Sequence, residues 1–161
     1  MPAMTRLHID IARQELTAFT DSRELMRFPV STAARGVGSG KGSFQTPRGE
    51  HRVRIKIGAG CPLGAVFLAR RWTGEVIDPA LRRRFPARDW VLTRVLWLQG
   101  LEPNLNRGGD VDTLRRFVYI HGTHEEALIG QPVSFGCVRM RNADIADLFD
   151  HVPAGCRLRI D

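Results

Sequence analysis

Apolar and polar residues alternate along several short runs of this chain, a pattern typical of half-buried β-strands. Near the N-terminus, Leu7, Ile9 and Ile11 would lie on one face of such a strand, and Arg6 and His8 on the other. Alternating or β-branched runs that predict strands span residues 5–11, 15–19, 24–30, 51–57, 91–98, 117–121 and 156–160. The pattern therefore predicts a mainly β protein.

One clear helix is predicted, over residues 142–150. Asn142 suits the N-cap, and Ile145, Leu148 and Phe149 form an apolar stripe at helical spacing. We expect this helix to cover the sheet. Stretches rich in glycine, proline or other turn residues separate the strands and predict loops at 31–49, 58–90 and 99–116.

Composition agrees with one domain spanning residues 1–161. The chain is 43% hydrophobic and 25% charged, and a chain of this length can bury roughly 70% of its unfolded surface. No segment approaches the roughly 20 apolar residues of a membrane span. The N-terminus alternates like a strand and does not resemble a signal peptide. We therefore expect a cytoplasmic protein, with a periplasmic protein that has lost its leader as the alternative.

The net charge of +7 comes almost entirely from arginine, because only Lys41 and Lys56 of the 24 basic residues are lysines. The arginines are scattered except for the cluster Arg82-Arg83-Arg84. No nucleic-acid-binding motif accompanies them, so we expect no nucleic-acid partner. A solvated basic surface is the simpler interpretation, and electrostatic steering of an acidic substrate is the alternative.

Three cysteines, Cys61, Cys137 and Cys156, form no even-numbered disulfide framework, which favours a reducing compartment. Cys156 lies in a predicted strand and Cys61 in a predicted loop. His121 and His124 are close in sequence, but no paired Cys-x-x-Cys accompanies them. We therefore predict no metal and no other cofactor.

Two short motifs carry the candidate chemistry. The first, His121-Gly122-Thr123, ends an apolar run, and the second is Ser134-Phe135-Gly136-Cys137-Val138-Arg139-Met140. A cysteine thiol has a free pKa of about 8.5, so it needs a base or a positive field to become a nucleophile at neutral pH. These residues indicate a cysteine nucleophile, Cys137, with His121 as its base.

The two motifs resemble the signature of the L,D-transpeptidase (YkuD-type) family, which normally has Ser-His-Gly-Cys where this chain has Ser-Phe-Gly-Cys. Val30-Ser31-Thr32 and the Thr46-Pro47-Arg48-Gly49 turn add to the resemblance, which extends over nearly the whole chain. It implies a single-domain β-sandwich or curled mixed sheet with one short C-terminal helix and a capping loop. It also implies that 58–90 is an insertion that narrows the cleft.

The expected site has several parts around the two catalytic residues. Backbone N–H groups near Phe135, Gly136 and Cys137 can form an oxyanion hole. Arg139 would either hold a substrate carboxylate or support the loop by capping carbonyls. The other candidate substrate-binding or cleft residues are Ser134, Gly122, Arg94, Asp112 and Asn106.

The resemblance implies attack by the thiolate on the bond before the terminal D-alanine of peptidoglycan tetrapeptide stems, through a thioester. Phe135 either replaces a shaping histidine, changes the reaction outcome or weakens the site. Together with the expected location, Phe135 favours hydrolysis: an L,D-carboxypeptidase that trims soluble muropeptides for recycling. The alternatives are an L,D-transpeptidase that makes cross-links or exchanges D-amino acids, and a non-catalytic module that binds peptidoglycan peptides.

Overall fold

The computed structural model describes residues 3–21 and 23–161. Its strands are β1 (Arg6–Asp10), β2 (Glu15–Thr20), β3 (Arg23–Pro29), β4 (Gly49–Ile57), β5 (Ala65–Leu68), β6 (Arg71–Val76), β7 (Val91–Gly100), β8 (Tyr119–Gly122), β9 (Val138–Met140) and β10 (Arg157–Ile160). The helices are α1 (Pro79–Arg84) and α2 (Asn142–His151), with 3₁₀ turns at Gly109–Val111 and Glu126–Leu128. None of the described helices has the length and apolar character needed to span a bilayer.

The ten described strands form one mixed sheet in the order β3-β2-β1-β10-β4-β7-β5-β6, with β8 paired to β7 and β9 paired to β8. Two pairs, β1–β10 and β8–β9, are parallel, and the others are antiparallel. Strand β7 pairs with β4, β5 and β8. It therefore connects the strands of the N-terminal half to the two short strands that carry the candidate site.

Alternation along β7 separates two apolar clusters on opposite faces of the sheet. Leu96 and Leu98 belong to the main core, into which α2 inserts Ile145, Leu148 and Phe149. Val95 belongs instead to a smaller cluster with Ala65, Phe67 and Tyr119, against which Trp97 and Cys137 pack. The candidate nucleophile thus lies on the face that α2 does not cover.

The mainly β fold with a mixed sheet and a short C-terminal helix is confirmed. Every predicted strand run overlaps an observed strand, although β8 begins at Tyr119, two residues later than predicted. The N-cap of α2 is Arg141, so the prediction of Asn142 was wrong by one position. The Asn142 side chain instead donates to the Thr123 carbonyl and accepts from the Thr93 hydroxyl.

The stretch 58–90 is more regular than predicted, since it contains β5, β6 and α1. The expectation of a single clear helix was therefore wrong. Asp78 caps α1 by accepting a hydrogen bond from the Leu81 N–H at 2.7 Å, and Pro79 occupies the first turn. The sequence did not reveal this helix because it has only six residues and none of them is buried.

A buried histidine ties β4 to the loop that follows β7. His51 is fully buried, with Nδ1 3.0 Å from the Gly49 carbonyl oxygen and Nε2 3.0 Å from Thr113 Oγ1. Burial lowers the pKa of His51 from 6.5 to about 4, although the hydrogen bond to Gly49 and the charges of Glu102 and Glu50 oppose the shift. Folding therefore favours the neutral imidazole.

We predict that His51 makes the protein less stable in acid. The unfolded chain binds a proton on this residue below pH 6.5 and the folded chain only below about pH 4. The contribution of neutral His51 to the free energy of unfolding is complete above pH 6.5, and roughly 3 kcal/mol of it is lost as the pH falls to about 4. Chemical denaturation across this range should show a shallower pH dependence for His51→Gln than for the parent, and equal slopes would contradict the prediction.

Candidate active site

The parallel pairing of β8 with β9 brings the two sequence motifs together. Ile120 lies opposite Val138, and His121 lies opposite Arg139. Ile120 and Val138 face the main core, so strand alternation directs His121 and Arg139 to the other face. Cys137, two residues before Arg139, packs on that face as well.

A hydrogen-bonded turn presents the cysteine. The Ser134 hydroxyl donates to the Cys137 carbonyl at 2.5 Å and accepts from the Gly136 N–H at 3.2 Å. Thr46 Oγ1 donates to the Gly136 carbonyl at 2.9 Å, and Gly136 has a φ of 127°, which favours glycine. Ser134 therefore positions the turn, and its hydroxyl is not available to a substrate.

The turn also alters the predicted oxyanion hole. The Gly136 N–H, one of the expected donors, is engaged by Ser134 Oγ. The N–H groups of Phe135 and Cys137 donate to no acceptor in residues 3–21 and 23–161. These two amides are the donors that remain for a developing oxyanion.

The Cys137 thiol lies in a largely buried environment. Sγ accepts a hydrogen bond from the Tyr119 N–H at 3.3 Å and lies 3.5 Å from the Phe117 carbonyl oxygen, to which the thiol donates. Burial raises the pKa of Cys137 to about 12, against the opposing effects of the Tyr119 N–H and the charges of Arg139 and Arg116. The resting thiol is therefore protonated at neutral pH and needs a base.

His121 has the properties of such a base. Its imidazole is fully buried, and Nδ1 lies 2.7 Å from the Gly122 carbonyl oxygen, so Nδ1 carries the proton and donates it. Nε2 is buried and makes no hydrogen bond within the described residues. Burial lowers the pKa of His121, despite the charge of Asp89. The ring is consequently neutral at neutral pH, with an unoccupied acceptor nitrogen.

Gly122 positions this imidazole through its carbonyl oxygen, and its contact with a substrate stays a prediction. A Cβ at residue 122 would collide with Asn142 Oδ1 and would lie 2.7 Å from the Leu92 carbonyl oxygen. The site therefore has no room for a side chain here. The Gly122 carbonyl, which orients His121, could not be identified from the motif alone.

The Arg139 side chain binds two carboxylates of the chain itself. It does not cap backbone carbonyls within the described residues. The guanidinium is 5% exposed. Its NH2 lies 3.2 Å from Asp89 Oδ1 and its NH1 lies 3.5 Å from Glu125 Oε1. It also lies 5.3 Å from the ring centroid of Phe135. Asp89 and Glu125 therefore belong to the candidate site, although neither is part of a recognisable sequence motif.

The Arg94 guanidinium contacts two backbone carbonyls and an aromatic ring of α2. Its NH1 donates to the carbonyls of Cys61 at 2.8 Å and Thr93 at 2.6 Å, and the guanidinium lies 5.5 Å from the ring centroid of Phe149 in α2. Cys61 packs against the smaller apolar cluster, whereas Phe149 belongs to the main core. The role of Arg94 as a cleft residue stays a prediction.

Asp112 and Asn106 hold the loop after β7 in place. Asp112 accepts hydrogen bonds from the Gly108 and Arg115 N–H groups, at 2.8 and 3.0 Å. Asn106 is fully buried, and its Oδ1 accepts from the Glu102 N–H at 2.9 Å. The side chains of both predicted cleft residues therefore form hydrogen bonds within this loop.

Two arginines that the sequence did not indicate lie on the other side of Cys137. Arg116 donates to the Gln45 carbonyl at 2.7 Å, and its charge reaches the thiol. Arg70 lies over the Phe117 ring, 4.8 Å from its centroid, and its NH1 is 3.4 Å from the Tyr119 hydroxyl. The charges of Arg116 and Arg139 thus favour the thiolate of Cys137, whereas the charge of Asp89 opposes it.

Phe135 projects outward from the turn. Its side chain is 57% exposed, and with Phe44 it borders a groove of about 250 Å³ whose other lining residues are Ala34, Arg35 and Ser134. An exposed aromatic ring beside the nucleophile is available for contact with a ligand. No charged or hydrogen-bonding group replaces the imidazole that the family usually has at this position.

The mixed sheet thus places a cysteine and a buried histidine on one face. The family profile described as the L,D-transpeptidase catalytic domain, YkuD, matches residues 4–160. The chain belongs to this family of enzymes.

Known relatives match a shorter part of the sequence. The chain is 56% identical over 45 residues to a probable L,D-transpeptidase ErfK/SrfK of Salmonella typhimurium, covering 28% of this chain and 15% of that protein. It is 50% identical over 42 residues to a putative L,D-transpeptidase YkuD of Bacillus subtilis, covering 26% of each. The matches thus cover only a small part of either relative.

Solved structures share the fold over the whole chain. An L,D-transpeptidase from Xylanimonas cellulosilytica superposes with a TM-score of 0.59 at 20% identity, covering 100% of this chain and 62% of that one. L,D-transpeptidase 3 from Mycobacterium tuberculosis gives a TM-score of 0.59 at 16% identity, covering 99% and 61%. At these identities the likeness establishes the fold.

We predict that Cys137→Ala abolishes turnover of a tetrapeptide substrate, because removing the nucleophile of a covalent mechanism costs several orders of magnitude in rate. The matched controls are Cys61→Ala and Cys156→Ala, which should keep most of the activity. Cys156 is buried, so its removal should cost about 1 kcal/mol of stability. Release of D-alanine, measured with circular dichroism as a check on folding, tests all three. Substantial activity in the Cys137 variant would exclude Cys137 as the nucleophile.

Proposed function

We propose that this protein is a cysteine peptidase of the L,D-transpeptidase family that cleaves the bond before the terminal D-alanine of peptidoglycan tetrapeptide stems. The observation that carries the proposal is that the paired strands β8 and β9 place Cys137 and a buried His121 on one face of the sheet. His121 Nε2 makes no hydrogen bond within the described residues, and burial lowers the pKa of the imidazole. The substrate class is inferred from the family. Soluble muropeptides are the proposed substrates, and hydrolysis is the proposed outcome.

The first step is proton transfer from the thiol to His121. In the resting structure the thiol bonds to the Tyr119 N–H and the Phe117 carbonyl, and Nε2 has no partner. We infer that the thiol turns toward Nε2 when substrate binds, and that the imidazole then takes its proton. The Tyr119 N–H and the charge of Arg116 favour the thiolate that forms.

The thiolate then attacks the carbonyl carbon of the scissile bond, forming a C–S bond. The Cys137 and Phe135 N–H groups, which have no other acceptor, stabilise the oxyanion. Collapse of the tetrahedral intermediate breaks the C–N bond, and the His121 imidazolium protonates the departing amine of D-alanine. Water, deprotonated by the same imidazole, finally attacks the thioester and releases the tripeptide.

Two features of the cleft support hydrolysis. Arg139, a candidate to hold a substrate carboxylate, is already paired with Asp89 and Glu125, and we propose that it is therefore not available to an acceptor peptide either. The stretch 58–90 contributes Asp89, which binds Arg139, and Arg70, which lies over Phe117, and we propose that it narrows the approach to Cys137. An amine acceptor competes with water only if the site binds and orients it.

Transpeptidation is the second candidate. The groove of about 250 Å³ between Phe135 and Phe44 lies directly beside the nucleophile turn and is open to solvent. An acceptor peptide that binds there would be held close to the thioester. The two outcomes share every step up to the thioester and differ in what attacks it.

We predict that the base remains active below the ordinary histidine range. Because burial lowers the pKa of His121 below 6.5, the imidazole stays unprotonated at pH 6.5, and the acid limb of kcat/KM should lie below that pH. His121→Gln should reduce kcat/KM about 10²–10⁴-fold. A pH–rate profile with its acid limb above pH 7 would contradict this description of His121.

We also predict how the thioester divides between hydrolysis and exchange with an amine. With a soluble tetrapeptide and excess D-amino acid, the main product should be tripeptide. Phe135→His restores the usual family motif and should shift the ratio of exchange to hydrolysis more than it changes the acylation rate. Phe44→His, on the opposite wall of the same groove, is the matched control and should shift the ratio less. If mass spectrometry shows mainly exchanged tetrapeptide or cross-linked dimer, the enzyme is a transpeptidase.

A further inference from the structure

A basic cavity lies beside the proposed active site and is not used by the mechanism above. This cavity, here called the α1 pocket, has a volume of about 330 Å³ and is lined by Pro79, Arg82, Arg83, Pro86, Trp90 and His124. Arg82 and Arg83 are exposed and form no ion pair within the described residues. Two unneutralised guanidinium groups at the edge of one cavity favour an anion.

A third polar group in the pocket also lacks a partner. His124 Nδ1 is buried and makes no hydrogen bond within the described residues, while Nε2 lies 3.7 Å from Glu125 Oε1. The ring packs edge-on against Trp90, with centroids 6.4 Å apart, so its orientation is fixed. A buried nitrogen without a partner costs free energy unless a ligand or water satisfies it.

The acidic residues around the pocket are already engaged. Asp78 caps α1, and Glu126 accepts a hydrogen bond from the Asn142 N–H at 2.8 Å. Asp89 and Glu125 both pair with Arg139. Among the described residues, no carboxylate lines the α1 pocket and none forms an ion pair with Arg82 or Arg83.

The pocket also adjoins the reacting groups. Two residues that line the pocket, Trp90 and His124, are chain neighbours of Asp89 and Glu125. The carboxylates of Asp89 and Glu125 bind Arg139. Arg139 is two residues from Cys137. A substrate whose scissile bond lies at Cys137 would therefore reach the α1 pocket by extending past Arg139. Carboxylates along the stem peptide, or the diphosphate of a nucleotide conjugate, are anionic groups that such a substrate can carry.

We propose that the α1 pocket is a subsite for a compact oxyanion, either a carboxylate or a phosphate, carried by the substrate away from the scissile bond. Arg82 and Arg83 would supply charge-assisted hydrogen bonds, and the rings of His124 and Trp90 would line the subsite. The identity of the substrate rests on the proposed function, whereas binding of an anion does not.

Direct binding tests the subsite without any reaction. The Cys137→Ala protein is titrated with inorganic pyrophosphate and, separately, with glutarate, while the Trp90 indole and the His124 ring are followed by NMR. We expect both signals to shift, and binding to weaken about tenfold or more in Arg82→Gln/Arg83→Gln. Arg84→Gln is the matched control, because Arg84 belongs to the same helix but lines a different groove, and it should change affinity less than twofold. No shift with either probe, or equal losses in control and double variant, overturns the proposal.

Kinetics then identify the source of the anion. If the pocket takes a diphosphate, Arg82→Gln/Arg83→Gln should raise KM about tenfold for a nucleotide-linked tetrapeptide while KM for the free tetrapeptide stays constant. If it takes a stem carboxylate, KM should rise for both substrates, with kcat unchanged in either case. Unchanged KM for both substrates overturns the subsite. An inactive parent protein that still binds pyrophosphate would instead refute the proposed function and leave the anion site standing.

Discussion

The parallel register of β8 and β9 is the constraint on which the candidate site depends. It fixes His121 opposite Arg139 and leaves Cys137 beside Tyr119, so residues from two separate motifs share one face of the sheet. The far edge of β9 is held as well, because Ser31 and Arg139 exchange backbone hydrogen bonds at 2.8 and 2.9 Å. A register slip of one residue would turn His121 into the main core and Ile120 toward the cleft. The apolar packing of Ile120 and Val138 therefore secures the geometry of the catalytic pair.

Burial determines the protonation states of this pair. Desolvation disfavours charge on both groups, so it raises the pKa of the Cys137 thiol and lowers that of the His121 imidazole. The resting pair is consequently neutral, unlike a thiolate–imidazolium ion pair. In the proposed mechanism, proton transfer places a negative charge on the Cys137 sulfur, near the Tyr119 N–H and the charges of Arg139 and Arg116.

Much of the fold followed from local pattern, because half-buried strands alternate and α2 carries a clear apolar stripe. The sequence motifs sufficed to place Cys137 and His121 on neighbouring strands of one sheet, and their catalytic roles stay predictions. The site was not predictable where function depends on contacts between distant segments. Asp89 and Glu125 lie 50 and 14 residues before Arg139 in the chain and meet it only after folding. Arg94 and Asp112 had suitable side chains and suitable neighbours in sequence, but the bulge in β7 and the turn at Gly108 direct them into backbone hydrogen bonds instead.

The proposed mechanism requires that Cys137 carry the acyl group. The most direct measurement is intact-mass spectrometry of the protein quenched in acid during turnover of a tetrapeptide, followed by peptide mapping. We expect an increase equal to the tripeptide less one water, located on the peptide that contains Cys137 and reversed by hydroxylamine. D-Alanine release without any such adduct, even in rapid-quench samples, or an adduct on Cys61 would contradict the proposed mechanism.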